Sequence, residues 1–240
     1  MDRRGAQGLS NGTCYRRSVK LSVVIPALNE ADRIVGAIES ARASDVEILV
    51  VDGGSRDATR KLAANAGARV VNSPPGRAEQ LAVGVRESCG DPIVLLHADT
   101  RLPSGFHRAI ESALEDAGTI GGAFRMRFDE AGWGLRVVEW GVNLRVAAFG
   151  LPYGDQAIFL RRRTLEAIGG IPRTPIMEDL DLVKAMRGCG RFAQLDLAVT
   201  TSARRYRAHG VARTLFRNTL AAVAWLIDVD RRRFANWYHR

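Results

Sequence analysis

The chain has 240 residues and a mass of 26.2 kDa, room for one domain with a small appendage and for a core that needs no disulfide or structural metal. Its 46% hydrophobic and 25% charged residues are those of an ordinary globular protein. A net charge of +9 favours phosphate-bearing partners such as nucleotide donors, anionic membrane surfaces or nucleic acid. A solvated basic surface is the simpler account of charge alone. From Thr201 onward nine arginines stand against Asp228 and Asp230, a local charge of +7.

Residues 1–20 contain no apolar run, so no signal peptide is expected there, only a disordered basic tail. No stretch reaches the roughly eighteen apolar residues of a membrane span. Cys14, Cys89 and Cys189 are odd in number, far apart and in no metal spacing, so a disulfide framework is not expected. Together these features predict a cytoplasmic protein.

In chain order, residues 21–26 read as a strand and 30–42 as a helix, with Ile34, Val35 and Ile38 on one side. Residues 46–52 form the next strand, 56–66 a helix, 68–72 a third strand and 77–88 a third helix. Residues 92–97 (PIVLLH) are very apolar and predict a central fourth strand. Strands alternating with helices imply a parallel sheet covered on both faces. Further on, 122–128 and 156–161 predict strands flanking an apolar helix over 133–149. Residues 178–187 predict a helix, 198–205 a strand and 211–227 an amphipathic helix. The expected fold class is α/β, a single domain with a mostly parallel sheet flanked by helices. It spans 21–210, with a C-terminal helix and basic tail over 211–240.

In such sheets ligands bind at the carboxyl ends of the strands, and the polar residues collect there. The first turn, Pro26-Ala27-Leu28-Asn29-Glu30, is bulky and acidic. That excludes the G-x-G-x-x-G cradle of a dinucleotide-binding domain, and a Walker loop is absent as well. Binding by side chains and metal is expected instead. Asp99, directly after the apolar fourth strand, is a candidate ligand for a divalent cation that would neutralise a diphosphate leaving group. The alternatives are that it caps the helix after Pro103 or merely ends the strand. Asp52 could accept hydrogen bonds from a nucleobase or ribose, with Gly53 and Gly54 allowing close approach, or the segment could be a simple turn. Asp57 reads as a helix cap and is left out of the site. Glu178, Asp179 and Asp181 favour a helix N-terminus, yet three carboxylates exceed what capping requires. Asp179 or Glu178 could take the proton from an attacking acceptor hydroxyl.

At this point the chain resembles the family 2 glycosyltransferases. The resemblance rests on VVIPALNE, VVDGGSRDAT, HAD in place of the usual acidic D-x-D, and MEDLDL, in order over roughly residues 21–206. It implies the GT-A fold, transfer of a sugar from a UDP- or GDP-linked donor, and inversion by a single displacement. Pro26, Ala27, Asn29, Glu30, Asp52 and Gly53 would hold the nucleoside, and Gly76 and Arg77 would contact base or phosphate. Asp99 would bind Mn2+ or Mg2+, and Asp179 would be the base, with Glu178 in reserve. His97 and Ala98 occupy the D-x-D position, and His97 departs from it; imidazole can ligate manganese, so metal affinity is in question. His209 is a candidate last metal ligand or a solvated loop histidine. Arg204 and Arg205 could clamp the diphosphate. Asp155 and Gln156 fall where acceptors bind, although a turn aspartate reads similarly.

The C-terminal helix carries Leu215, Phe216, Leu220, Val223, Leu226 and Ile227 on one side, then Arg231, Arg232, Arg233, Trp237 and Tyr238. Packing on the core or on the partner in a homodimer is the plainer expectation. Peripheral contact with the inner face of the membrane, suiting a lipid-linked acceptor, is the other. Two rival functions are a nucleotidyltransferase, whose glycine-rich arginine-lysine opening is missing, and a nucleic-acid binder. The latter would need aromatics interleaved with its basic residues, so no nucleic-acid partner is expected.

Overall fold

A computed structural model of the protein describes residues 19–227 and 229. The first half alternates β1 (Leu21–Ala27), α1 (Ile34–Ser40), β2 (Val46–Asp52), α2 (Thr59–Asn65), β3 (Arg69–Asn72), α3 (Arg77–Glu87) and β4 (Ile93–Leu95). These four strands are parallel, in the order β3-β2-β1-β4. Successive side chains of a strand point to opposite faces. Accordingly Val23, Ile25, Val50 and Val94 pack beneath Ile34 and Ile38 of α1, while Val24, Val51, Ile93 and Leu95 meet Leu81 and Val85 of α3. Helix α3 lies so close that a Cβ on Gly84 would collide with Val24 and Val51. Both faces are therefore dry, as the uninterrupted apolar strands require.

The second half continues through β5 (Thr100–Arg101), α4 (Phe106–Ala113), β6 (Thr119–Phe128), α5 (Trp133–Phe149), a 3-10 turn at Gly154–Gln156, and β7 (Ile158–Leu160). It ends with α6 (Arg162–Ala167), α7 (Glu178–Arg187), β8 (Arg191–Thr201), α8 (Arg204–His209) and α9 (Val211–Leu226). Its strands extend the sheet as β7-β6-β8-β5. Strand β7 runs antiparallel to β4 and β6, β6 pairs with β8 in parallel, and β5 returns antiparallel to β8. The result is one mixed α/β sheet of eight strands, parallel where the first half lies and with β4 near its centre.

The element types of the first half agree with the periodicity, but α1 and α2 begin later than predicted. The preceding residues are held in loops by side-chain hydrogen bonds. The strand predicted over 198–205 is β8, which starts at Arg191 and stops at Thr201, so Arg204 and Arg205 sit on α8 instead. Pairing along β6 extends the strand back to Arg191, over the alternation of Ala193, Leu195 and Leu197 with Gln194 and Asp196 that the prediction left out. The alternative of Asp99 capping the helix after Pro103 fails, since α4 starts at Phe106 behind Gly105. Cysteine usage also differs from expectation. Cys189 is free and exposed, but Cys89 is disulfide-bonded, so the cysteines no longer argue for a reducing compartment.

Candidate active site

Three loops leave the carboxyl ends of β1, β2 and β4 on one edge of the sheet. The first two are stitched to each other. Asn29, with φ of 54°, accepts from Arg56 N at 2.9 Å through Oδ1 and donates its own N–H to Ser55 Oγ at 2.9 Å. Glu30 N donates to Thr59 Oγ1 at 2.8 Å, and Ala31 N to Asp57 Oδ2 at 3.2 Å. Asp57 also accepts the Thr59 hydroxyl and Thr59 N, the latter at 2.9 Å, and these lower its pKa in that order. The N-cap of α2 is Ala58, so Asp57 orders the turn before the helix and is not its cap. Asp52 is buried and accepts the N–H groups of Gly54 and Ser55, each at 3.0 Å. Beneath both loops the buried Gln80 amide donates to Ala27 O and Val51 O, each at 2.8 Å.

The loop after β4 opens instead into a cavity of about 420 Å3. His97, Asp99, Asp155, Asp179 and Glu178 line it together with Gly76, Arg77, Arg204 and Arg205. The MEDLDL carboxylates divide here into three fates. Asp181 is held by the Trp225 indole at 2.9 Å and by Thr174 at 3.0 Å. Glu178 is buried 2.9 Å from Arg77 Nε, an ion pair whose N–H is not aimed at the oxygen. Asp179 faces the cavity, accepting Gly154 N at 2.7 Å and Leu180 N at 2.9 Å.

The charges act on one another. Asp155 keeps some residual surface, but its Oδ1 is cut off from solvent without a hydrogen-bond partner. Burial first, with the negative charges of Asp179 and Asp99, lifts its pKa to about 6 against the pull of Arg145 and Arg77. Burial likewise raises Glu178, opposed by Arg77. His97 is held well below its ordinary value by burial and by the Arg77 and Arg205 guanidiniums, so it is neutral. Arg77 Nη2 contacts His97 Nε2. A guanidinium only donates, so Nε2 is the acceptor and carries no proton. Gly154 packs against this pair; a Cβ there would meet Arg77 Nη2 and would lie 2.6 Å from His97 Nε2.

The predicted residues thus separate into groups. Gly76, Arg77, His97, Asp99, Asp155, Glu178, Asp179, Arg204 and Arg205 come together. Pro26 lines a narrow adjoining recess with Arg77, His97 and Asp179. Glu30 reaches Arg204 at 3.2 Å, while Asn29, Asp52 and Gly53 belong to the stitched loops. Ala27 and Ala98 are buried. Gln156 is buried too, donating to Phe124 O at 3.1 Å and accepting from Tyr153 N at 3.2 Å. His209 is exposed at the end of α8 and does not line the cavity. Among the described residues no three His, Cys, Asp or Glu side chains form a ready metal cage.

Sequence reasoning missed Tyr153, Tyr206 and Asn218, which also line the cavity. Tyr153 stacks under Arg145 at 3.7 Å, and Tyr206 packs edge-on to Phe128 at 4.9 Å. The aromatic residue just before Gly154-Asp155-Gln156 was the one available signal.

A curled, largely parallel α/β sheet with acids and arginines at its carboxyl edge defines a GT-A glycosyltransferase. The chain belongs to glycosyl transferase family 2, whose model matches residues 22–166. It is 28% identical over 165 residues to the undecaprenyl-phosphate 4-deoxy-4-formamido-L-arabinose transferase of Pseudomonas aeruginosa, over 62% of this chain and 49% of that one. It is 38% identical over 76 residues to glycosyltransferase AglJ of Haloferax volcanii, over 31% of this chain and 25% of that one. The chain therefore spans between a quarter and a half of these curated relatives. Its fold is similar to glucosyl-3-phosphoglycerate synthase from Mycobacterium tuberculosis, solved with Mn2+, UDP-glucose and phosphoglyceric acid. That likeness has a TM-score of 0.60 and 23% identity, over 84% of this chain and 79% of that one.

Proposed function

We propose that the enzyme transfers a sugar, with inversion, from a UDP- or GDP-linked donor to an acceptor oxygen brought into the cavity. The supporting observation is the cavity itself, where Asp99, Asp155 and Asp179 share one electrostatic environment with Arg77, Arg204 and Arg205. A nucleotide diphosphate needs such a mixture of cationic donors and carboxylates. Pro26, Asn29, Glu30, Asp52 and Gly53 would hold the nucleoside at the neighbouring strand ends.

Asp99 would hold Mn2+ or Mg2+. The fit rests on hard oxygen donors beside the unpartnered Asp155 Oδ1, in a site that leaves the remaining positions to diphosphate oxygens and water. When bound, the cation neutralises the departing diphosphate. Asp179 takes the acceptor proton, and the Gly154 N–H holds its carboxylate in place. Glu178 is the weaker candidate because it is buried against Arg77. An inverting displacement needs this one base and no nucleophile on the enzyme. As acceptor, a lipid phosphate follows the name of the Pseudomonas relative.

Calorimetric titration of UDP and GDP, with and without manganese, tests the reading. One nucleotide should bind only with manganese, and Asp99→Asn should weaken it at least about tenfold. Absence of binding to either nucleotide in any metal condition, or equal binding by the variant, would overturn the donor class or the role of Asp99.

A further inference from the structure

The sequence placed an apolar face on the C-terminal helix and expected it to be covered. Within the single chain most of that face is not packed on the core, although Leu215 is. Helix α9 buries Thr214, Ala221 and Ala224, whereas Phe216 (66%), Leu220, Val223, Leu226 (67%) and Ile227 are exposed. Helix α5 does the same with larger side chains. It buries Val138, Glu139 and Val146, and exposes Trp133 (82%), Val137, Trp140 (68%) and Leu144. In both helices the exposed residues recur at intervals of four and three, one face of an α-helix. The helices are packed neighbours, with Gly134 facing Val211 where both begin. Two such stripes on packed neighbouring helices exceed singly scattered exposure.

Charge decides the occupant. The only acid in the two helices, Glu139, is buried, accepts Phe128 N at 2.7 Å and pairs with Arg136. Against it stand Arg136, Arg213 and Arg217, since Arg145 turns inward over Tyr153 and donates to Leu151 O, and the sequence continues to Arg231, Arg232 and Arg233 with Trp237 and Tyr238. A second copy docking face to face would set these arginines against their own kind. A nucleic acid would use the arginines but leave the tryptophans and leucines in water. Anionic lipid uses both. No helix among the described residues is long and apolar enough to cross a membrane, so the surface would lie on one.

We infer that the α5–α9 face docks on an anionic bilayer, its apolar side chains in the headgroup–acyl boundary and its arginines at the phosphates. Asn218, two positions from both Phe216 and Leu220, lies on the opposite side of α9, where it lines the cavity and reaches Tyr206, so the docking stripe and the cavity occupy different sides of this helix. Resting on the proposed transfer, docking would hold the enzyme on the membrane that carries a lipid-linked acceptor.

The test is co-sedimentation of the full chain with vesicles of equal parts phosphatidylglycerol and phosphatidylcholine, then of phosphatidylcholine alone, following tryptophan emission. The chain should partition onto the anionic vesicles with a blue shift. Trp140→Glu combined with Phe216→Glu should lower that partition at least about tenfold. Arg60→Glu, an exposed site on α2 with the same change in charge, should leave it within about twofold. Thermal unfolding and nucleotide titration of each variant show whether it is folded. They also separate failure of docking from failure of the transfer reading, since vesicle binding needs no nucleotide. Lack of vesicle binding by the unmodified chain, or unchanged binding by the double variant, overturns the inference. Dimerisation abolished by the double variant, without vesicle binding, overturns it in favour of a second copy.

Discussion

The two halves of the sheet treat their polar residues in opposite ways. Around β1 and β2, Asn29, Asp52, Ser55, Asp57 and Thr59 satisfy one another and the local backbone, over a core that is dry on both faces. In the second half, Asp155 Oδ1 and Arg145 Nη2 are buried without hydrogen-bond partners, and a cavity opens between acids and arginines. A buried polar group left unpaired costs stability, and such costs persist where a ligand completes the bonding. The first half is a platform whose strand ends are fixed before any ligand arrives, and the second is the reactive wall. Glu30 belongs to both: one oxygen meets Arg204 and the other is unpartnered.

If that division is right, the largest effect comes from the wall. Asp179→Asn keeps an oxygen for the Gly154 N–H but cannot accept the acceptor's proton. Turnover, read as nucleoside diphosphate release, should fall about 10²- to 10⁴-fold while thermal unfolding barely moves. Normal turnover would remove Asp179 from catalysis. A smaller effect tests the unpaired acid directly. The folded pKa of Asp155, about 6, lies above its ordinary 3.8, so the folded chain holds this proton where the unfolded chain has lost it. Its contribution is greatest at low pH and is lost as pH rises from about 4 to 6, by no more than about 3 kcal/mol. Urea unfolding in chelator across that window should therefore show Asp155→Asn gaining on the parent as pH rises, and parallel profiles would count against the strain. On the platform, Gln80→Ala strips the shared donor from Ala27 O and Val51 O and should cost about 1–3 kcal/mol in urea unfolding. A cost indistinguishable from zero would mean that the loops are held without it.

Much of the platform was readable because its signals are local. Apolar runs gave the strands, and the D-G-G-S and H-A-D ends gave the sheet edge. The wall was harder for reasons of distance. Glu178, Asp179 and Asp181 are equivalent in a motif, and only contacts from Arg77, Gly154 and Trp225, far away in sequence, give them different tasks. Asn218 follows no chemical pattern and reaches the cavity by packing. The C-terminal helix shows the same limit from the other side. Its stripe was visible, but which face it buried was decided by small residues, Thr214, Ala221 and Ala224, that no hydrophobicity pattern favours.

The smallest strand sets a dimension of the site. Thr100 and Arg101 of β5 pair with Thr201 and Thr200, and the Thr100 and Thr201 hydroxyls meet at 2.9 Å. Asp99 stands immediately before one arm of this clasp, and Ser202 and the α8 arginines immediately after the other. The clasp therefore works as a caliper whose opening is the gap between the acidic and basic poles. Each residue inserted or removed inside either arm would change that opening by about 3.3 Å and turn the next side chain to the other face. The loop after β6 is gauged by the same arm, since Asp129 N donates to Thr201 O and Asp129 Oδ1 accepts Ala203 N at 2.9 Å.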